Sequence, residues 1–295
     1  MNRIRRVGVV GCGVMGAGLA EVCARAGLDV LVAVSRPGRE ADGRRRLTGS
    51  LDNGLRKGKI SEGDRDAALA RVSFTADLSD FADRQFVIEA GPEQESVKLD
   101  VFATLDKVVV DENAILGSNT SSFPIVQLGR VTDRPGKVVG THFFNPVTVL
   151  PLVELVGSVL TEDDTVDVAE TFVTEVLGKQ VVRTKDRSGF VVNALLIPYL
   201  LSAIRVYESG VASMADIDTA MKLGCAHPMG PFALSDLIGL DIVQAISESL
   251  YNEYREPHYS PPPLLSRMVS AGLLGKKSGR GFYDYPVREK VKVAA

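Results

Sequence analysis

Cysteine, histidine and long apolar runs are all scarce in this sequence. Of 295 residues only three are cysteine (Cys12, Cys23 and Cys225), an odd and scattered set without CxxC spacing. That pattern excludes a disulfide framework and a structural zinc site, and it fits a reducing, cytoplasmic compartment. No cluster of Asp, Glu and His has ligand spacing, so no metal is expected. The longest apolar stretch, Phe190 to Ile204, is interrupted by Asn193, Pro198 and Ser202. It is too short and too polar to span a bilayer and reads as a buried helix. Met1 to Arg6 runs straight into a strand and a glycine loop, with no signal-peptide pattern. The net charge of −3 argues against a general nucleic-acid binder. Internal repeats and low-complexity segments are absent from the pattern.

What the chain does have is enough apolar residue for two cores. At 295 residues, with 45% hydrophobic and 24% charged, it has an ordinary globular composition and the length of two domains. Val7-Gly8-Val9-Val10 has the unbroken apolar character of a strand buried on both faces. It enters Gly11-Cys12-Gly13-Val14-Met15-Gly16, a helical pattern through Ala26, a closing Gly27, and a second strand at Val30 to Val34. A lone GxGxxG says little, but strand, loop, helix and strand together match the dinucleotide fingerprint. The glycine loop, with Gly11, Gly13, Val14, Met15 and Gly16, is the expected pyrophosphate site at a helix N-terminus.

An NAD site usually carries an acid at the end of the second strand, where it bonds the ribose 2′-hydroxyl. Here the residues are Val34, Ser35 and Arg36. Without a carboxylate to repel it, a 2′-phosphate can be held by Ser35 and Arg36, so NADP(H) is favoured and NAD(H) remains possible. From Arg36 to Lys59 eight basic residues (Arg36, Arg39, Arg44, Arg45, Arg46, Arg56, Lys57 and Lys59) face three acids (Glu40, Asp42 and Asp52). This helical insertion is either a solvated face or an attractor for a phosphate-bearing substrate.

Further strands are expected at Val72 to Phe74, Gln85 to Glu89, Ala114 to Ser118, Lys137 to Thr141 and Val181 to Arg183, with helices at Glu95 to Val109 and around Asp163 to Leu177. Glu93 and Lys98 follow the Gln85 to Glu89 strand and are candidate cofactor contacts, as is Asn119 in the polar run Ser118-Asn119-Thr120-Ser121-Ser122. Thr141 to Pro146 followed by Pro151 to Val156 reads as strand, turn, strand. It holds His142, one of only three histidines. A histidine is suited to proton transfer near neutral pH, and a carboxylate beside it fixes its tautomer. Glu154 is the candidate carboxylate, although twelve residues is no helix repeat and spacing alone does not establish contact. Strand-like runs stop near Asp186. Helical spacing follows from Val191 to Val206, around Asp216 to Leu223 and from Leu234 to Leu250. The expected organisation is an α/β Rossmann-type dinucleotide-binding domain over residues 1–186 and an all-α domain over residues 187–295. His227, in the turn His227 to Pro231, reads as structural.

The glycine loop, Ile88-Glu89-Ala90, Ser118 to Ser122, His142-Phe143-Phe144-Asn145-Pro146, Gly189 to Asn193, Pro228-Met229-Gly230-Pro231 and the Gly275 to Tyr283 loop occur in one order along nearly the whole chain. In that order they resemble the single-function L-3-hydroxyacyl-CoA dehydrogenases, in particular the bacterial 3-hydroxybutyryl-CoA dehydrogenases. The resemblance implies His142 as general acid/base, Glu154 as its orienting partner, and Ser121 and Asn193 as hydrogen-bond donors to the reacting oxygen. It places Glu93 and Lys98 near the nicotinamide ribose. It further implies an acyl-CoA substrate, a homodimer joined through the helical substrate-binding domain, and closure of the two domains over the substrate. Val34-Ser35-Arg36 departs from the family, which usually has an acid there. Two other expectations stand beside this one: a related dehydrogenase acting on an acyl-carrier-protein thioester or free hydroxy acid, and a nucleotide-binding scaffold without turnover.

Overall fold

The computed structural model describes residues 4–286. The first strand, β1 (Arg6–Val10), is buried along all but its first residue. Burial on both faces explains its continuous apolar sequence. It leads into α1 (Val14–Arg25), β2 (Asp29–Ala33), the paired helices α2 (Glu40–Arg56) and α3 (Glu62–Ala70), and β3 (Val72–Thr75). The hairpin of α2 and α3 is the basic insertion, and α3 starts on a capping box between Ser61 and Asp64. Next come β4 (Phe86–Glu89), α4 (Glu95–Val108), β5 (Ile115–Ser118), α5 (Ile125–Gly129), β6 (Val138–Phe143), β7 (Leu152–Gly157), α6 (Asp163–Thr171) and β8 (Gln180–Lys185).

These strands form one eight-stranded sheet in the order β3-β2-β1-β4-β5-β6-β7-β8. The first six positions follow the doubly wound dinucleotide-binding order, and the chain reverses direction across the sheet between β1 and β4. Every neighbouring pair is parallel except β6 with β7. Side chains alternate between faces, so each strand feeds two cores. Val7 and Val9 pack with Leu19, Cys23 and Phe172 on one side; Val10 and Val87 pack with Phe102 and Leu105 on the other.

The chain divides into two compact units after Phe190. Asp186 belongs structurally to the first: its carboxylate accepts from the backbone N–H groups of Ile125 and Val126, at 2.9 and 2.8 Å, and caps α5. The second unit is helical, with α7 (Val192–Glu208), α8 (Met214–Gly224), α9 (Pro231–Ile238), α10 (Leu240–Tyr254) and α11 (Pro263–Ser270). Ile197, Leu200, Leu201 and Ile204 of α7 meet Phe232, Val243, Leu250 and Leu265 in its core. The uninterrupted helix expected over Leu234 to Leu250 is instead two. Gly239, at φ 105°, ends α9 and opens α10 in a conformation that side chains avoid. Both helices face the same core, so the apolar spacing runs through the break and conceals it.

Two buried carboxylates organise this unit. Asp218 accepts from the N–H groups of Phe232 and Ala233 at 2.8 and 3.1 Å, capping α9 from α8, and from the Tyr283 hydroxyl at 3.0 Å. Asp236 accepts from the N–H groups of Phe282 and Tyr283, both at 2.9 Å, and from the Tyr285 hydroxyl at 3.0 Å. Asp236 thereby holds the Gly275 to Tyr285 segment against α9. Asp236→Ala strands those donors and is expected to destabilise the protein by about 3 kcal/mol, on the scale of hydrogen bonds to a buried charged group. Denaturant unfolding of the variant checks this, with an unchanged midpoint contradicting it.

Candidate active site

Four chain crossings at the carboxyl end of the parallel sheet carry several of the predicted residues. The first is the glycine loop after β1. Gly11, at φ 100°, donates its N–H to Ala33 O at 2.9 Å, and a Cβ there would lie 2.7 Å from Ala90 O. A Cβ on Gly16 would collide with Gly11 O, so the first turn of α1 closes on the loop only as glycine. Gly13 is different, because a Cβ there would meet nothing within 4 Å. The loop thus has glycine where backbone packs on backbone and open space where α1 begins, with no acid in the first turn of the helix. That fits the pyrophosphate of a dinucleotide. Val14 stands 70% exposed at the mouth of this space, and Met15 is half-buried beside it.

The second crossing is the end of β2. Val34 is buried and donates its N–H to Thr75 O at 2.8 Å, whereas Ser35 and Arg36 are exposed. Arg46 of α2 donates from Nη1 to Cys12 O in the glycine loop, at 3.2 Å. Burial pushes the Cys12 thiol above its ordinary pKa, and the Arg46 charge opposes that.

The third crossing, after β4, holds a charged cluster that the sequence only half disclosed. Glu89, 1% exposed, accepts from Lys98 Nζ at 2.8 and 3.0 Å, from Ser118 Oγ at 2.6 Å and from Gly91 N–H at 2.6 Å. Lys98, equally buried, also reaches Glu93 Oε2 at 3.0 Å. Glu93 in turn accepts from the hydroxyls of Thr120 and Ser122. Burial raises the Glu93 carboxyl, but Lys98 and the hydroxyl donors outweigh it and hold the group below the ordinary carboxylate range. Glu93 and Lys98 were anticipated as neighbours of the cofactor. Glu89, to which Lys98 also bonds, was not. Its signal was an acid ending an otherwise apolar strand, with a lysine in the next helix to neutralise it.

The fourth crossing is the β6–β7 hairpin. Antiparallel register sets His142 directly opposite Glu154, and His142 Nδ1 lies 2.7 Å from Glu154 Oε2. The imidazole is 6% exposed and the carboxylate wholly buried. Phe144 and Phe190 flank the ring with centroids 4.5 and 5.5 Å away. A carboxylate on Nδ1 assigns that nitrogen the proton in the neutral ring, leaving Nε2 as the basic nitrogen. Asn119 links the third and fourth crossings: its N–H donates to Glu89 O at 2.8 Å, and its Oδ1 accepts from Phe143 N–H at 2.9 Å.

Two predicted residues stand apart from these contacts. Ser121 is half-buried in the loop after β5, and among the described residues no hydrogen bond joins it to His142. Asn193 lies in the first turn of α7, in the second unit, and is buried. His227, read as structural, meets the Tyr199 hydroxyl through Nδ1 at 3.1 Å.

Comparison with known proteins bears on what this arrangement is for. Residues 6–187 match the NAD-binding domain of 3-hydroxyacyl-CoA dehydrogenase, and residues 189–285 match its C-terminal domain. The chain is 56% identical to a 3-hydroxybutyryl-CoA dehydrogenase of Mycobacterium tuberculosis over 96% of this chain and 99% of that one. It is 39% identical to the human mitochondrial hydroxyacyl-coenzyme A dehydrogenase, over 96% and 91%. Among solved structures, M. tuberculosis FadB2 superposes with a TM-score of 0.95 at 56% identity, over 96% of this chain and all of that one. The (S)-3-hydroxybutyryl-CoA dehydrogenase PaaH1 of Ralstonia eutropha superposes with a TM-score of 0.91 at 43% identity, over 96% and 99%. With a doubly wound nucleotide fold, a buried His–Glu pair at its carboxyl edge and matches that span both domains, the chain belongs to the 3-hydroxyacyl-CoA dehydrogenase family.

Proposed function

We propose that this protein interconverts a short-chain L-3-hydroxyacyl-CoA and the corresponding 3-oxoacyl-CoA, with His142 as general acid/base. The observation that carries this reading is the 2.7 Å contact between His142 Nδ1 and Glu154 Oε2 inside the sheet edge. A nicotinamide cofactor held at the glycine loop would supply the chemistry at C3, as hydride acceptor in oxidation and hydride donor in reduction. The chain's own residues handle the proton and the oxygen. In oxidation His142 Nε2 takes the hydroxyl proton as the C3–H bond breaks and the carbonyl forms. In reduction it returns that proton to the developing alkoxide.

Glu154 keeps the proton on Nδ1 and faces the positive charge that appears on the imidazole ring, in a place where water does not screen it. Phe144 and Phe190 restrict the ring to one orientation, so little reorganisation accompanies the transfer. Ser121 and Asn193 are assigned as donors to the substrate oxygen. Glu93 and Lys98 are assigned to the nicotinamide ribose, with Glu89 and Ser118 holding them in place. The helical unit is assigned to substrate binding and to a homodimer; on α7 the apolar side chains Leu195 and Val206 are exposed, at 71% and 39%.

NADP(H) is the proposed cofactor. The residue at which an acid would repel a 2′-phosphate is the buried, neutral Val34, and the next two residues are the exposed Ser35 and Arg36.

His142→Gln is expected to retain folding and cofactor binding while kcat falls at least about a hundredfold, within the ~10²–10⁴ range of general acid/base catalysis. Glu154→Gln is expected to lower kcat as well, and the double variant to be little worse than His142→Gln alone, because the two act as one unit. Steady-state assays with acetoacetyl-CoA test both, and near wild-type turnover in His142→Gln removes that residue from the mechanism. Run with either reduced cofactor, the same assay is expected to give a higher kcat/KM for NADPH than for NADH. The opposite order overturns the cofactor assignment.

A further inference from the structure

The arginines that crowd the segment after β2 do not share one environment. Arg39 is held by the Asp42 carboxylate at 2.9 Å, and Arg45 pairs with the same carboxylate. Arg44 lies over the Phe74 ring, its guanidinium carbon 5.4 Å from the centroid. Arg46 makes neither kind of contact, since its Nη1 donates to the Cys12 carbonyl in the glycine loop. Gly43 makes the approach possible: a Cβ at that position would lie 2.8 Å from the Phe74 ring and 3.2 Å from Cys12 Sγ. One turn further along α2, on the same face, Arg46 is carried over the loop. Among the described residues, neither Arg46 nor Arg36 takes part in an ion pair.

We propose that Arg46, together with Arg36, binds the 2′-phosphate of NADP(H) and sets the cofactor preference of this enzyme. The inference rests on the NADP(H) reading above and adds to it a residue outside the strand-end position where that preference is ordinarily read. In a doubly wound sheet the adenosine ribose lies at the carboxyl ends of the first two strands. Arg36 stands three residues beyond the last residue of β2, and Arg46 stands over the loop beyond the last residue of β1. The two cations therefore belong to the two sides of one crevice end. The carbonyl of Cys12 uses a single N–H of the guanidinium, whose remaining donors suit a phosphate. It also holds the side chain in place without neutralising it. A 2′-phosphate brings nearly two negative charges to that position, whereas the 2′-hydroxyl of NAD(H) brings none. An Arg46 that reached the pyrophosphate instead would act on both cofactors alike.

The test is equilibrium titration of wild type, Arg46→Gln and Arg46→Lys with NADPH, NADH, adenosine 2′,5′-bisphosphate and 5′-AMP. Arg46→Gln is expected to weaken NADPH and the bisphosphate at least about tenfold, the scale of one hydrogen bond to a charged group. NADH and 5′-AMP should change by less than about threefold on the same scale. Arg46→Lys, which keeps the charge and loses the planar fork, should fall between. It carries the comparison if the glutamine variant melts early. Equal weakening of all four ligands, or of none, overturns the proposal. A wild type that binds NADH more tightly overturns the cofactor reading alone. Arg46 remains a specificity determinant in that case only if Arg46→Gln still shifts the NADPH-to-NADH affinity ratio about tenfold.

Discussion

The reversal of β7 against β6 is the constraint on which the site depends. A parallel sheet brings residues from distant segments to one edge, but it does not place two neighbours in sequence face to face. The antiparallel hairpin does so, pairing His142 with Glu154 at a single rung and burying both. An unpaired carboxylate at that depth is strongly disfavoured, and a buried histidine without a partner loses its preferred tautomer. Each side chain therefore makes the other tolerable, and the resulting 2.7 Å contact orients the imidazole. A slip of one residue in that pairing would turn Glu154 to the opposite face of the sheet and leave the histidine unsupported.

The second buried charge cluster follows the same logic at the neighbouring strands. Glu89 ends β4 with its carboxylate surrounded by Lys98, Ser118 and the Gly91 N–H, while Lys98 also touches Glu93. Removing one member of such a buried pair costs on the order of 3–5 kcal/mol, because the charge left behind has no solvent to turn to. The cluster therefore fixes the starts of α4 and of the loop after β5 relative to each other. Asn119 extends the tie to Phe143, next to His142. The loops at this edge of the sheet are thus held by specific hydrogen bonds as well as by apolar packing, which is what orients side chains to a fraction of an ångström.

Much of the fold could be read from the chain directly. The run from Val7 through the glycine loop to Val34 carries its own geometry: apolar strands, a glycine where backbone meets backbone, and a helix ended by Gly27 at φ 86°. The switch from strand-like to helical spacing near Asp186 likewise anticipated the change from α/β to all-α architecture. Less legible was the break at Gly239, because α9 and α10 present apolar residues to one core and the spacing continues across it. Glu89 was seen as part of a motif and not as the centre of a network. The partners of its carboxylate lie up to 29 residues away in sequence.

By itself, the sequence determined the order of elements, the glycine loop and the identity of the titratable groups, because backbone preference and hydrophobic period act over short stretches. It also determined that no acid follows β2, an absence visible in three letters. The tertiary structure alone decided which charges meet. Asp42 takes up Arg39 and Arg45, Phe74 takes up Arg44, and Arg46 is left over the glycine loop. It also decided that His142 and Glu154, twelve residues apart, share one rung of a sheet. Coulomb and hydrogen-bond energies depend on separation in space, and strand register, not sequence spacing, sets that separation.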